Sequence, residues 1–491
     1  MRYHQNDDLN PEKLPFFSRR NFLKFSGGCA ALSSTSILST LLDLRLTKAA
    51  MAAGGDLTGY KALVCVFLHG GIDSFNMLVP YEDQEYTDYT TVRSNLAIPK
   101  ASLLMIQDRH LRRFGIHPAM PEIKTLYDGG KLAFVANLGS LVVPTTKANY
   151  NSVPKPVGLY SHSDLIQHWQ TSIPQSRTQV TGWAGRMADM VTDRVNHTSA
   201  ISMNISLSGL NILETGQVVI PYTIGTGGAT VLSGYSKTTT TPRDRLFTRY
   251  TDSVLAETYG NLLERSYAGV RRGAIDGAAM FNAATSSTTL QTVFPNTTLG
   301  NQLRMVARAI ANRGNDKSLA PVPGKLNVGR QIFFVVIGGW DHHSDLINAQ
   351  NNQLPVVSQA LKAFYDATVE LGVADKVTTF TASDFARTLN SNGVGSDHAW
   401  GGNHMVMGGA VQGRHVYGTY PSTLAPGNIL DMGRGSLIPT TSVDSYNAEL
   451  ALWFGLNNDS YLEAVLPNVR NFYQASNQNM PIGFLQPPGA A

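Results

Sequence analysis

Asp341-His342-His343 puts one carboxylate and two imidazoles at consecutive positions. Asp384 follows, then Asp397-His398 and His404, which bracket the Gly-rich run Ala399-Trp400-Gly401-Gly402-Asn403. Asp73 stands far upstream, after His69-Gly70-Gly71-Ile72. Mixed carboxylate and imidazole donors suit zinc, manganese or iron, whereas an all-oxygen set suits magnesium or calcium. The expected ligands are Asp73, Asp341, His343, Asp384, His398 and His404, holding one or two divalent ions, zinc or manganese first. Such ions polarise an ester oxygen and activate a nucleophile. Ser161 and Ser163, in Ser161-His162-Ser163-Asp164, are candidate nucleophiles, since a serine beside a metal needs no triad; the segment also reads as a helix start. Arg387 either clamps an anionic oxygen or pairs with Asp384. Singly, each of these residues is ordinary turn chemistry, and Asp73 before Ser74 reads as a helix cap. What argues for a site is that the same residue types recur after several separate apolar runs.

Those runs are the elements that must position them. Residues 60–68, 131–137, 331–337 and 376–381 are short and continuously apolar, as strands covered on both faces must be, and a fifth begins at 405. Helical spacing is expected over 121–127, which opens with Pro121; over 354–371, which stops at Gly372; and from the cap Ser442 to Phe454 before Gly455. Alternating strand and helix predict an α/β fold with a mostly parallel central sheet flanked by helices, and such sheets bind ligands beyond the carboxyl ends of their strands. The middle is less regular. Residues 197–330 read as a mixed helical insertion or cap, with a helical region over 243–312 and a Pro/Gly-rich loop at 317–324.

The N-terminus carries an address. Ser18-Arg19-Arg20-Asn21-Phe22-Leu23-Lys24 matches the twin-arginine pattern, a weakly apolar run follows, and Ala50-Met51-Ala52 offers a cleavage site. Residues 1–52 are therefore expected to be a signal peptide handled by the twin-arginine translocase, leaving a periplasmic or secreted domain over 53–491. The run is too short and too rich in Gly and Ser for a span, which needs about 20 strongly apolar residues, so the mature chain is expected to have none. Removing the leader leaves 32 basic residues (39 − 7) and 31 acidic ones (35 − 4), a formal charge of +1. No basic block remains to suggest nucleic acid. Cys29 leaves with the leader, so the remaining Cys65 has no partner for an internal disulfide.

Longer motifs carry a resemblance. Phe67-Leu68-His69-Gly70-Gly71-Ile72-Asp73-Ser74-Phe75-Asn76, Gly338-Gly339-Trp340-Asp341-His342-His343 and Ser383-Asp384-Phe385-Ala386-Arg387-Thr388-Leu389 resemble the DUF1501 family of exported bacterial proteins. So do the run from Asp397 to His404, Ile438-Pro439-Thr440-Thr441 and Leu466-Pro467-Asn468. That family is similar to the alkaline phosphatase–sulfatase superfamily, which implies an α/β sandwich with metal ligands at strand ends. By that resemblance Asp73 matches the first-strand carboxylate, and Asp341 with His343 an Asp-and-His pair. Asp384 matches the carboxylate of a later Asp-His pair, with Phe385 where the histidine belongs, and His398 or His404 resembles the final ligand. One metal, or a site rebuilt with His398, fits this departure better than two zincs. The expected function is an exported metal-dependent hydrolase of phosphate or sulfate esters, acting on a small anionic ester. The alternative is a non-catalytic secreted protein whose metal site serves structure or binds a surface polymer.

Overall fold

Runs of β-branched and aromatic residues make the central strands, and their burial on both faces requires helices on either side. In the computed structural model the described residues are 57–196, 199, 201–314, 321–456, 459–474 and 479–487. The leader expected at 1–52, with its twin-arginine motif, Cys29 and cleavage site, lies outside them, as do residues 317–320 of the expected loop. The chain divides into Met1–Gly54 and Gly55–Ala491, and the described residues belong to the second unit.

The strands are β1 (Lys61–Leu68), β2 (Leu78–Pro80), β3 (Leu104–Gln107), β4 (Arg113–Ile116), β5 (Leu132–Gly139), β6 (Asn204–Ser206), β7 (Tyr222–Thr223), β8 (Arg330–Ile337), β9 (Val377–Ser383), β10 (Gly402–Gly408), β11 (Val416–Gly418) and β12 (Thr441–Ser442). Nine of them form one sheet in the order β11-β5-β10-β9-β1-β8-β6-β7, with β12 also on β5, while β2-β4-β3 form a small separate sheet. In the large sheet β1 pairs in parallel with β8 and β9, β8 with β6, β6 with β7, and β5 with β11 and β12. Among the described strands of this large sheet, only β10 runs antiparallel to its neighbours, β5 and β9, whereas the small sheet is antiparallel throughout. The sheet is thus mostly parallel, as the uninterrupted apolar runs predict.

The helices are α1 (Ser74–Met77), α2 (Asp83–Arg93), α3 (Pro121–Asp128), α4 (His162–Thr171), α5 (Trp183–Val195), α6 (Pro242–Ala256), α7 (Leu262–Ser286), α8 (Thr298–Ala311), α9 (Leu346–Glu370), α10 (Val443–Phe454) and α11 (Asp459–Val465). Alternation along β1 divides the core. Ala62, Val64, Val66 and Leu68 join the cluster that includes Leu303 and Val306 of α8 and Leu361 and Phe364 of α9. On the other face Phe380 meets Trp183 of α5 at 6.1 Å and Tyr446 of α10 at 6.0 Å between ring centroids. Cys65 is buried and free in β1.

Boundaries differ from expectation in two informative places. The fifth strand begins at Gly402 rather than at 405, because Gly402 and His404 are already paired against β5, with an irregularity at Asn403 between them; the polarity of Asn403 and His404 concealed this start. The helix expected from 354 starts at Leu346 and carries Pro355 inside it, so Pro355 does not mark its first turn. Ser442 does cap α10, accepting from the Ser445 amide at 3.0 Å. Within 197–330, β6 joins the main sheet and α8 packs against β8, while α6 and α7 leave much of their surface exposed.

Candidate metal centre

Three strand ends and one helix start meet at the carboxyl edge of the sheet. β1 runs into His69-Gly70-Gly71, β8 into Gly338-Gly339-Trp340-Asp341, β9 into Asp384-Phe385, and α4 opens at Ser161-His162. The first two turns nearly touch. Gly70 has φ +124°, and a Cβ there would lie 2.7 Å from the Asp341 amide nitrogen, so this crossing admits only glycine. Arg387 is fully buried and ties the turns together: Nε donates to Gly71 O at 2.9 Å, Nη1 to Ser396 O at 2.9 Å, and Nη2 to Gly70 O at 2.7 Å and to the Asp341 carboxylate.

Asp341 is the centre of the cluster. Its oxygens lie 3.5 Å from His162 Nε2, 3.1 Å from His343 Nε2 and 3.4 Å from His398 Nε2. Every one of these imidazoles is anchored through its other nitrogen. His162 Nδ1 donates to Asp384 Oδ2 at 2.7 Å, His343 Nδ1 to Asp397 Oδ1 at 3.1 Å, and His398 Nδ1 to the Tyr160 carbonyl at 2.8 Å. Those acceptors place the proton on Nδ1 and leave each Nε2 lone pair facing Asp341. Tyr160 presents its carbonyl from a left-handed conformation (φ 75°), which is strained for a residue with a Cβ. Asp384 is wholly buried; its second oxygen accepts the Gly70 amide at 2.9 Å. The aromatic ring of Phe385 packs 4.7 Å from His162 and 4.5 Å from His398, so it is the floor of the site rather than a ligand.

The electrostatics favour ligand-ready groups. Burial pushes the Asp341 carboxyl up, but the Arg387 hydrogen bond and charge, with His343 and His162, outweigh it and hold the group below its usual value. Burial, with the Arg387 charge, lowers the His398 pKa; the hydrogen bond to the Tyr160 carbonyl and the Asp341 charge oppose this in part. His343 Nε2 and His398 Nε2 stand 2.9 Å apart. With both protons on Nδ1, two lone pairs face each other across that gap, and a nearby cation would relieve the repulsion. His162, Asp341 and His398 each offer one donor atom within 4.8 Å of the others. Donors of one ion with bonds of about 2.0–2.6 Å can lie up to about 4–5 Å apart, so these three are within reach of a single ion.

Of the residues expected from sequence, Asp341, His343, Asp384, His398 and Arg387 are brought together. Arg387 binds Asp341 and backbone carbonyls, and Asp384 is an orienter of His162. Asp73 is buried against the Arg93 guanidinium, its carbonyl accepts Gln350 Nε2 at 2.9 Å, and no described hydrogen bond or ion pair joins it to the three imidazoles. His404 lies inside β10 under the site, its ring 4.8 Å from Trp169, and burial lowers its pKa to about 3. His404 is near the start of β10, level with the end of β9, but its side chain is buried beside Thr381 and Trp169, and no described hydrogen bond or ion pair joins it to the cluster. Ser161 and Ser163 flank His162 and lie 3.1 Å apart, hydroxyl to hydroxyl. Sequence reasoning passed over His162 itself. Its signal was present, since it lies between the two serines, but the segment's helix-start character accounted for it equally well.

No curated protein sequence matches the chain. Among solved structures it is similar to the soluble domain of lipooligosaccharide phosphoethanolamine transferase A from Neisseria meningitidis. There identity is 9%, coverage is 88% of this chain and 94% of that one, and the TM-score is 0.32. It is also similar to a lipoteichoic acid synthase from Listeria monocytogenes, at 8% identity, 79% and 76% coverage, and a TM-score of 0.26. The segment that holds β8, β9, Asp341, His343, Asp384, Arg387 and His398, residues 325–427, matches the family described as protein of unknown function (DUF1501).

Proposed function

We propose that this chain is an exported, metal-dependent hydrolase of phosphate or sulfate esters. The observation that carries the reading is the convergence of three Nδ1-anchored imidazoles on the Asp341 carboxylate. Two His and one Asp within ligand reach suit zinc or manganese. Bound there, the ion would act as a Lewis acid on an anionic ester oxygen. His162 and His398 would hold it through Nε2 and Asp341 through a carboxylate oxygen, with His343 beside them. Asp384, Asp397 and the Tyr160 carbonyl fix the rings and their tautomers, and Arg387 fixes Asp341 by taking one of its oxygens. Ser163, exposed beside His162, is the nucleophile candidate, with Ser161 as its hydrogen-bond partner. The twin-arginine pattern at 18–24 supports export, and no helix among the described residues is long and apolar enough to cross a membrane.

One observation favours the non-catalytic alternative, a metal site serving structure or the binding of a surface polymer. No described hydrogen bond joins Ser161 or Ser163 to a histidine that could take its proton, and the Arg387 donors are engaged by backbone carbonyls and Asp341. Elemental analysis of the purified protein, with turnover of aryl phosphate and aryl sulfate, decides between them. Bound metal with turnover that Asp341→Ala abolishes supports the hydrolase. Bound metal without turnover supports the alternative, and a metal-free protein that takes up neither zinc nor manganese removes both.

A further inference from the structure

α7 is 25 residues long, but only its second half rests on the body of the protein. Leu263, Tyr267, Val270, Ala274, Gly277, Phe281 and Ala284 recur along it at alternating spacings of four and three, the pattern of a helix–helix seam. The last three are buried, and Phe281 and Ala284 belong to the main core. The first four continue the same face beyond the body and meet solvent: Leu263, Tyr267 and Val270 are 78%, 64% and 73% exposed. The neighbouring α6 does not cover them. It joins α7 on another side, through the Asp252 ion pair with Arg272 at 2.5 Å.

We propose that this exposed half-seam is the interface with a second copy of the chain, packed antiparallel about a twofold axis near Tyr267. Charge selects that occupant. Glu264 and Arg271 each directly follow a seam residue, so both flank the seam on one side, seven residues apart. Both are exposed, and neither has an ion-pair partner among the described residues. In an antiparallel isologous pair, flanks of the same side face each other. Glu264 then meets Arg271 of the second copy, and symmetry repeats the contact. The charged residues of α6 and α7 are mixed in sign, which a self-complementary face needs and an anionic lipid surface does not. The contact spans Leu263 to Ala274, about 16 Å of helix, so the dimer is of the weak class with a micromolar Kd.

Sedimentation velocity on the full-length protein, from roughly 5 to 200 μM, tests this. The wild type is expected to pass from monomer to dimer over that range. Glu264→Arg and Arg271→Glu each turn both attractions into repulsions and should weaken self-association by tenfold or more. An equimolar mixture of the two variants should form the heterodimer, and the double variant should restore the homodimer. A change of fold in a variant cannot produce that rescue. The idea is overturned if the wild type stays monomeric at the highest concentration, including the case in which it floats with anionic vesicles instead. It is equally overturned if the single variants dimerise like the wild type, or if their mixture does not pair.

Discussion

Asp384→Asn tests the logic of the metal centre more sharply than deletion of a ligand, because it preserves shape and changes one proton. In the wild type Asp384 Oδ1 accepts the Gly70 amide at 2.9 Å and Oδ2 accepts His162 Nδ1 at 2.7 Å, with the side chain wholly buried. An asparagine can keep one acceptor, and Gly70 claims it. Its NH2 then faces His162 Nδ1 and can only donate. The imidazole is driven to the other tautomer, with the proton on Nε2, where the ligand lone pair belongs. Loss of such an orienting carboxylate lowers metal affinity by about 10–100-fold, which is roughly 1.4–2.7 kcal/mol. The metal-free fold should change less, by about 1 kcal/mol, because both buried hydrogen bonds survive with altered roles. The assay is zinc or manganese titration by calorimetry on wild type and variant, with thermal melting of each in chelator. Wild-type affinity in the variant would falsify the tautomer argument, and so would affinity lost only in step with unfolding.

Gly70→Ala should cost roughly 2–3 kcal/mol or more in stability, since its Cβ would press on the Asp341 backbone at 2.7 Å in a backbone conformation that disfavours any side chain; a denaturant midpoint near wild type would contradict the crossing. Stability should also depend on pH in a defined direction. Burial pushes Glu214 and Asp444 to about 8 and Glu449 to about 7, whereas they ionise near 4 when unfolded. Their folded-state protons stabilise fully below the unfolded value, and that contribution is lost as pH rises, by up to about 1.4 kcal/mol per unit for each group until the folded values are passed. Burial lowers His117 and His168 to about 4 and His404 to about 3, so below their unfolded value near 6.5 these groups destabilise as pH falls. The melting temperature should therefore be highest near pH 5–6 and fall steadily to pH 8; a maximum at pH 8 would contradict these buried states. Replacing Arg19 and Arg20 with Lys should leave unprocessed precursor in the cytoplasm, and normal amounts of processed protein outside it would remove the export reading.

Much of the fold was legible in the sequence because it rests on local pattern. Continuous apolar runs with no alternation mean strands covered on both faces, and β1, β5, β8 and β9 lie within a residue or two of the expected spans. Asp341, His343, Asp384 and His398 were legible as candidates because the end of a parallel strand is where polar side chains meet a ligand. Tertiary structure decided the rest. Asp73 carries the same local signature as Asp341, but Arg93, twenty residues on, neutralises it inside the core. His404 neighbours the same Gly-rich loop as His398, yet its side chain is buried with the ring against Trp169. His162 enters from α4, 222 positions from its partner Asp384, and nothing near it in sequence announces that pairing. A strand's pattern is set by the two faces it must bury, which neighbouring residues record. A ligand's orientation is set by partners brought in from hundreds of residues away, and only the packed chain specifies them.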